Sequence, residues 1–216
     1  MNGISDQYTC GMDEAGRGPV LGPMVIAIVC GARDKLAGTG ARDSKMLPPA
    51  SRERIAGKIM KAAQHVDKII IEPNEIDRQM ELTTLNEIEY TFYMKLLSNS
   101  PGHCRVYVDA FDVREDRLQA RMRLDSGREV ICRHGADKIF PEVSAASIIA
   151  KVARDSEIEK LHEKYGDFGS GYPSDPRTVK FLEDAIRDGI DIGGIVRKKW
   201  KTYINLLNSS STERLF

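Results

Sequence analysis

Four acidic residues stand at the ends of apolar segments, where a protein can gather oxygen ligands. Asp13 and Glu14 end one short apolar segment. Asp109 ends a second, and Asp137 precedes a long helical pattern. Asp13 and Glu14 by themselves favour two solvated acids at the end of a strand, and each acid alone is weak evidence for a site. Carboxylates brought together from separate segments are the ligands that Mg²⁺ or Mn²⁺ prefers, so the four acids predict a site for divalent cations.

Two glycine-rich loops add groups that suit a phosphate or a sugar. Gly16, Arg17 and Gly18 directly follow the first acidic pair, and glycines let backbone N–H groups approach a ligand closely. Their spacing is not that of a dinucleotide or P-loop fingerprint, which disfavours a nucleotide cofactor. Tyr172 lies in a second loop, where its ring can stack on a base or a sugar. The structural alternatives are an ordinary tight turn and a tyrosine that covers the core.

A polar stripe follows from the long helical pattern over residues 142–165. Four polar residues share one helix face because they are spaced at three, four and three positions: Ser144, Ser147, Lys151 and Arg154. Such a face offers hydroxyls and cations to a phosphate backbone. A solvated polar face would have the same pattern.

The C-terminal segment is basic although the whole chain is neutral. Residues 195–216 contain five basic residues and one acidic residue, and four of the cations surround the single tryptophan, Trp200. We interpret this segment as a local basic patch, with a solvated helix face as the alternative.

The elements that must position these residues indicate a mixed α/β fold. Strands are predicted where apolar segments have strand length, over residues 8–12, 24–30, 68–72, 105–109 and 129–132. Helices are predicted from periodicity and capping signals, from Ser51, from Thr84, over residues 142–165, after Asp175-Pro176, and over residues 198–207.

Composition excludes several classes of protein. A chain of 216 residues with 41% hydrophobic and 30% charged residues is typical of one globular domain. No apolar run approaches the roughly 18 residues of a membrane span, and the N-terminus lacks a signal-peptide pattern, so we expect a cytoplasmic protein without membrane association. The 32 basic and 32 acidic residues argue against an indiscriminate nucleic-acid binder.

The spacing of the four cysteines gives no sign of a disulfide framework. Cys10, Cys30, Cys104 and Cys132 are far apart, and none forms a CxxC pair. Reduced thiols are therefore expected in place of a disulfide or a zinc site.

Taken together, these segments resemble type 2 ribonuclease H (ribonuclease HII) in its archaeal form. The matching segments occur in the family's order between about residue 8 and about residue 204. They are Gly11 to Pro19, Asp43-Ser44-Lys45, Val108-Asp109-Ala110, Ala136-Asp137, Val143 to Asp155, and Gly169 to Pro176. The resemblance implies a single ribonuclease H-like catalytic domain over residues 1–216. Its fold would be a mixed five-stranded sheet flanked by helices, with a helical C-terminal extension over residues 175–216.

The resemblance also implies an activity: endonucleolytic cleavage of the RNA strand of RNA·DNA hybrids, and incision at ribonucleotides embedded in duplex DNA. Two-metal-ion hydrolysis with Mg²⁺ or Mn²⁺ would leave 3′-hydroxyl and 5′-phosphate ends. Such an activity belongs to DNA replication and repair. We expect a monomer, and residues 205–216 are a candidate for contact with a sliding clamp.

The residue roles are implied by the same resemblance. The family's four metal-binding carboxylates match Asp13, Glu14, Asp109 and Asp137. The loop that contacts the ribose 2′-hydroxyl matches Gly16, Arg17 and Gly18, and the tyrosine that stacks at the junction matches Tyr172. Positions near the scissile and flanking phosphates match Lys45, Ser147, Lys151 and Arg154.

One departure and three rival functions stay open. Lys199 stands where the family often has a small hydroxyl residue, which leaves the role of that segment undecided. The rivals are a nuclease of the same fold that cuts DNA, a non-catalytic hybrid-binding module, and a small-molecule phosphatase. Cleavage of an all-DNA duplex would support the first rival, and metal-independent binding without cleavage would support the second.

Overall fold

The computed structural model describes residues 8–41, 47–102 and 104–213, without the side chains of residues 211–213. Its strands are β1 (Tyr8–Ala15), β2 (Met24–Ala32), β3 (His65–Ile71), β4 (Arg105–Asp109) and β5 (Val130–Arg133). Its α-helices are α1 (Arg33–Ala37), α2 (Pro49–Ala62), α3 (Pro73–Gln79), α4 (Leu85–Ser98), α5 (Glu115–Ser126), α6 (Pro141–Tyr165), α7 (Pro176–Asp188) and α8 (Lys201–Glu213). A 3₁₀ helix covers Ala136–Lys138.

The strands form one mixed sheet in the order β3-β2-β1-β4-β5, which confirms the predicted five-stranded sheet. Strand β1 is antiparallel to β2 and parallel to β4, and β4 is parallel to β5. The register places Met12 opposite Val108. The next residues, Asp13 and Asp109, therefore lie at the same edge of the sheet, because parallel strands present their carboxyl ends together.

The core around β1 explains why the sheet holds these acids firmly. Residues 24–31 of β2 are all buried, as expected for a continuous apolar strand. Helix α6 begins directly against β1: a Cβ on Gly11 would lie 2.1 Å from the Glu142 carbonyl carbon. Only glycine allows this approach, so Gly11 sets the spacing between the start of α6 and the strand that carries Asp13.

The structure contains the predicted helices, but the last helix begins later than predicted. Helix α7 follows its predicted cap, since the Arg177 N–H donates to Asp175 Oδ1 at 3.0 Å. Helix α8 was predicted from residue 198 but begins at Lys201. The reason is a turn, in which Asp77 accepts the N–H groups of Lys198 and Lys199 at 2.8 and 3.2 Å.

The short helices α1 and α3 and the longer helix α5 were not predicted. Helix α5 buries only Leu118 and Met122 among its twelve residues, so its apolar face is too narrow to give a clear periodic signal. Helices α1 and α3 contain five and seven residues, which is too short for periodicity to identify.

The expectation of four reduced cysteines is wrong. Cys10 and Cys30 form a disulfide. They lie 20 residues apart in sequence but opposite each other in the β1–β2 register, which the sequence spacing conceals. Cys104 and Cys132 are free and buried, and the Cys104 Sγ lies 2.9 Å from the Cys10 Sγ.

The internal contacts of the chain define two compact units. The first contains Met1–Ala15, Val25–Ile69 and Glu89–Ala153, and the second contains Gly16–Met24, Ile70–Ile88 and Arg154–Phe216. The single catalytic domain over residues 1–216 stays a prediction. Among the residues that the structure describes, no helix has the length and apolar character needed to cross a bilayer.

Candidate active site

Three of the four predicted carboxylates converge within the first unit. Oxygens of Asp13, Asp109 and Asp137 all lie within 4.8 Å of one another. They come from β1, from the end of β4 and from the 3₁₀ helix. Asp13 and Asp137 are buried, and Asp109 is half-buried. Three anionic groups so close form an oxygen-only donor set, which suits a hard divalent cation.

Backbone groups orient Asp109 toward this cluster. Its Oδ1 accepts hydrogen bonds from the N–H groups of Gly135 and Ala136 at 2.8 and 3.3 Å. Gly135 has a φ of 66°, a conformation that favours glycine. One carboxylate oxygen is thereby held by the chain, which fixes the orientation of the other.

Asp13 is electrostatically unfavourable in its charged form. Burial raises the pKa of its carboxyl well above its usual value, and the negative charges of Glu14 and Asp109 raise it further. A hydrogen bond from Ser147 on α6 and the Glu14 N–H, at 2.7 Å from Oδ1, oppose this shift. A divalent cation would reverse the balance by compensating the three charges, so the residues present fit a metal site.

Glu14, the fourth predicted carboxylate, has a hydrogen-bond partner of its own. The Tyr93 hydroxyl donates a hydrogen bond to Glu14 Oε2 at 2.5 Å. Tyr93 is completely buried, and burial together with the Glu14 charge raises the pKa of its hydroxyl. Strand β1 continues through Ala15, and the charge of Glu14 still acts on Asp13, whose pKa it raises.

Sequence reasoning missed Tyr93 because its place in a helical apolar pattern indicates a core residue. The signal that could have found it is a hydroxyl at a fully buried position, since a buried Tyr O–H almost always needs a partner.

In the second unit, Arg197 holds the glycine-flanked loop. Its guanidinium is fully buried and donates to the carbonyls of Gly16 at 2.6 Å, Arg17 at 3.0 Å and Gly22 at 2.9 and 3.0 Å. The interpretation of the C-terminal segment as a surface patch is therefore wrong for this residue. A planar fork of donors can satisfy several carbonyls at once, which a lysine cannot do.

The Gly18 carbonyl also accepts a hydrogen bond from a side chain. The Trp200 Nε1–H donates to it at 3.0 Å, and the Arg197 guanidinium lies 4.9 Å from the Trp200 ring centroid. The Arg17 side chain donates to Asn86 Oδ1 at 2.6 Å. Three successive carbonyls of the loop thus accept side-chain N–H groups, so the loop is preorganised by the C-terminal segment.

Tyr172 stands at the surface of the same unit and is 37% exposed. Its ring lies next to Gly18, where an added Cβ would be 3.6 Å from it, and Arg154 lies 5.4 Å from its centroid. The stacking role of Tyr172 stays a prediction. In the turn that follows, the Asp175 carboxylate accepts the N–H groups of Ser170 and Arg177 at 2.8 and 3.0 Å, and these hydrogen bonds lower its pKa to about 2.

The remaining predicted residues have different surroundings. Ser147 and Arg154 are buried and Lys151 is half-buried, so this stripe is not the solvated face that was the alternative. Arg154 packs so closely that a Cβ on Gly16 would lie 2.4 Å from its Nε. Lys45 lies outside the described residues.

Comparison with known proteins assigns the family. The family model for Ribonuclease HII matches residues 10–203. The chain belongs to the ribonuclease HII family. A ribonuclease HII of Thermoplasma volcanium is 48% identical over 200 residues, covering 93% of both chains. That of Picrophilus torridus is 48% identical over 198 residues, covering 92% of this chain and 96% of the other.

Solved structures agree with this family. Ribonuclease HII in the PCNA:RNase HII complex from Archaeoglobus fulgidus has a TM-score of 0.85 at 43% identity, covering 92% of this chain and 96% of that one. Ribonuclease H2 from Pyrococcus horikoshii has a TM-score of 0.85 at 40% identity, covering 94% and 98%. A ribonuclease HIII solved in complex with Mn²⁺ has a TM-score of 0.78 at 22% identity and shows the shared fold alone.

These findings establish the fold and the general activity. The chain has the ribonuclease H-like fold and is a ribonuclease H, an endonuclease that cleaves the RNA strand of RNA·DNA hybrids. Enzymes of this family use divalent metal ions.

Proposed function

We propose that the enzyme also incises duplex DNA at single embedded ribonucleotides, and that Asp13, Glu14, Asp109 and Asp137 hold its metal ions. The observation that carries the proposal is the convergence of three acids from separate elements to within 4.8 Å. We propose Mg²⁺ or Mn²⁺ as the cofactor, because both prefer carboxylate oxygens.

The carboxylates act by binding and orientation. Asp109 is fixed by two backbone N–H groups, and Asp13 is supported by Ser147. Glu14 is kept close to Asp13 by the chain and is oriented by Tyr93. Bound divalent ions would lower the pKa of an attacking water and stabilise the departing 3′-oxygen. The products would be a 3′-hydroxyl and a 5′-phosphate, and no histidine base is needed.

Recognition of the 2′-hydroxyl is assigned to the second unit. We propose that Gly16, Arg17 and Gly18 contact it and that Tyr172 stacks at the junction of ribonucleotide and deoxyribonucleotide. The preorganised loop and the partly exposed ring support these roles. The 2′-hydroxyl is the group that distinguishes RNA from DNA. Contacts to the scissile and flanking phosphates are proposed for Lys45, Ser147, Lys151 and Arg154.

The deciding experiment is cleavage of a DNA duplex that contains one ribonucleotide, with the cut position and end groups mapped. We expect cleavage that requires Mg²⁺ or Mn²⁺, occurs at the ribonucleotide and leaves a 5′-phosphate. An all-DNA duplex of the same sequence is the control and should stay intact. Cleavage of that control, or 2′,3′-cyclic phosphate ends, would contradict the proposal.

We also propose that the enzyme works as a monomer and that residues 205–216 contact a sliding clamp. The solved complex of the Archaeoglobus fulgidus relative with PCNA supports the clamp contact. Light scattering should give the mass of one chain. A variant that lacks residues 208–216 should lose co-elution with a purified archaeal clamp while still cleaving hybrids.

A further inference from the structure

A groove in the second unit combines an apolar floor with a cationic rim. It has a volume of about 410 Å³ and is lined by Arg17, Gly18, Met80, Leu85, Lys199 and Trp200. Two of these six residues are cations, and none is acidic. The groove opens beside Gly18, on the loop that is proposed to contact the 2′-hydroxyl. We propose that it is a subsite for a nucleotide that flanks the cleaved position, with Lys199 contacting its phosphate.

The groove is held in shape before any ligand arrives. Trp200 is fixed to the Gly18 carbonyl through Nε1, and Arg197 lies over its ring. Asp77 accepts the backbone N–H groups of Lys198 and Lys199, which fixes the turn that carries the Lys199 side chain. Because the Asp77 carboxylate is engaged with these amides, the exposed Lys199 ammonium stands on a rigid turn at the edge of the groove.

The residues that line the groove indicate which kind of ligand it binds. The volume is within the range of small-molecule sites, roughly 300–1,000 Å³, and has room for about one nucleotide. Trp200, Met80 and Leu85 supply a surface for the face of a base or sugar, and Lys199 and Arg17 attract a phosphate. An aromatic platform beside a basic edge is the arrangement that binds nucleic acid strands without reading their sequence.

This subsite deepens the proposed function and depends on it. It also gives a role to Lys199, whose function the sequence pattern leaves undecided. A phosphate contact at this position would strengthen binding of the flanking duplex without changing the chemical step.

The first test replaces the cation. Lys199→Ser is compared with the parent on a duplex that contains one ribonucleotide, and Lys180→Ser, on the exposed side of α7, is the matched control. We expect the KM of Lys199→Ser to rise about five- to tenfold near 0.1 M salt with kcat unchanged, because one phosphate contact is lost. The slope of log affinity against log salt concentration, measured in EDTA, should decrease in magnitude by about 0.9.

The second test places a negative charge in the apolar floor of the groove, where it would repel a phosphate. Met80→Glu should raise KM more than Met80→Gln, which has the same length and no charge. Met80 is partly exposed, so both variants are expected to fold, and circular dichroism checks this.

The outcomes separate the subsite from the proposed function. If the parent does not cleave the ribonucleotide-containing duplex, the proposed function fails. If the parent cleaves and Lys199→Ser keeps its KM and salt slope, the subsite is refuted. An equal effect of Lys180→Ser would indicate a general charge effect and also refute it. Loss of clamp binding by Lys199→Ser, with nucleic-acid parameters unchanged, would make the groove a protein-docking surface instead.

Discussion

Buried charge is arranged differently in the carboxylate cluster of the first unit and in the glycine loop of the second unit. Asp13, Asp109 and Asp137 concentrate like charge, which raises the pKa of Asp13. Arg197 is fully buried, but its guanidinium is satisfied by the carbonyls of Gly16, Arg17 and Gly22. The carboxylate cluster needs bound cations to compensate its negative charge, whereas the glycine loop needs no ligand to satisfy its buried arginine.

This difference indicates how each region contributes to function. A site that must bind cations keeps unfavourable electrostatics that lower the stability of the metal-free protein. A loop that must recognise a hydroxyl group needs fixed geometry, since a displacement of about 1 Å can cost about 100-fold in rate. Substitutions in the two regions should therefore have opposite effects on stability.

The largest effect is expected from Asp109→Asn. Loss of one carboxylate from the three-acid cluster should reduce the cleavage rate by about 10³-fold or more, because charge stabilisation by the metal is lost. Hybrid binding, measured by fluorescence anisotropy, should change little. Asp116→Asn, an exposed acid on α5, is the control and should keep full activity. Full activity of Asp109→Asn would refute its assignment as a metal ligand.

Arg197→Met should damage the second region in both stability and recognition. Removal of the guanidinium leaves buried carbonyls without donors, which should cost about 3–5 kcal/mol in the free energy of unfolding. Cleavage at a single ribonucleotide should fall about 100-fold as the loop moves. Urea denaturation and steady-state kinetics measure the two quantities.

Arg197→Lys separates charge from geometry in this region. Lysine keeps the positive charge but has one donor group in place of the planar guanidinium. The variant should therefore recover only part of the stability and part of the cleavage rate that Arg197→Met loses. Complete recovery by lysine would show that charge alone holds the loop.

Tyr172→Ala should have a smaller effect that depends on the substrate. Loss of the stacking ring should lower cleavage at a single embedded ribonucleotide about tenfold or more. Long hybrids, which offer many positions, should be affected less. Tyr172→Phe keeps the ring and tests the hydroxyl separately. An unchanged rate of Tyr172→Ala on the single-ribonucleotide duplex would exclude Tyr172 from recognition.

The smallest effect on stability is expected from Asp13→Asn, and its sign is opposite: the metal-free protein should become more stable at pH 7. The folded-state pKa of Asp13 is raised above its unfolded value of about 3.9, so its ionisation costs stability as the pH rises. Asparagine removes this cost, which should raise the melting temperature by about 2–4 °C for each kcal/mol.

Two conditions should abolish this gain in stability. Near pH 3, below the unfolded-state pKa, the carboxyl is protonated in both the folded and the unfolded state, so the two proteins should converge. Saturating Mg²⁺ should stabilise the parent and not the variant, because only the parent binds it well. A variant that is less stable than the metal-free parent at pH 7 would contradict the electrostatic description of the cluster.

Much of the fold could be predicted because its signals are local. The run of residues 24–30 predicted a buried strand, and Asp175-Pro176 predicted the start of α7. The segment 105–109 coincides with β4. Helix α5 escaped prediction because its buried face is narrow. The start of α8 was misplaced because a distant carboxylate, Asp77, holds the preceding turn.

The candidate site was predicted as a set of residues but not as an arrangement. The four acids were identified by type and position, yet the hydrogen bond that orients Glu14 comes from Tyr93, which is 79 residues away. Arg197 was interpreted as a surface cation because its sequence neighbours are lysines. Its burial depends on carbonyls about 180 residues away in sequence.

The amino-acid sequence by itself determined the five strands, the helices α2, α4, α6, α7 and α8, the four acids, the two glycine-rich loops and the resemblance to ribonuclease HII. These features depend on residue type and on neighbours within a few positions. Tertiary structure alone decided the Cys10–Cys30 disulfide, the partner of Glu14 and the burial of Arg197. The physical reason is that strand register and long-range hydrogen bonds join residues whose separation in the chain carries no periodic signal.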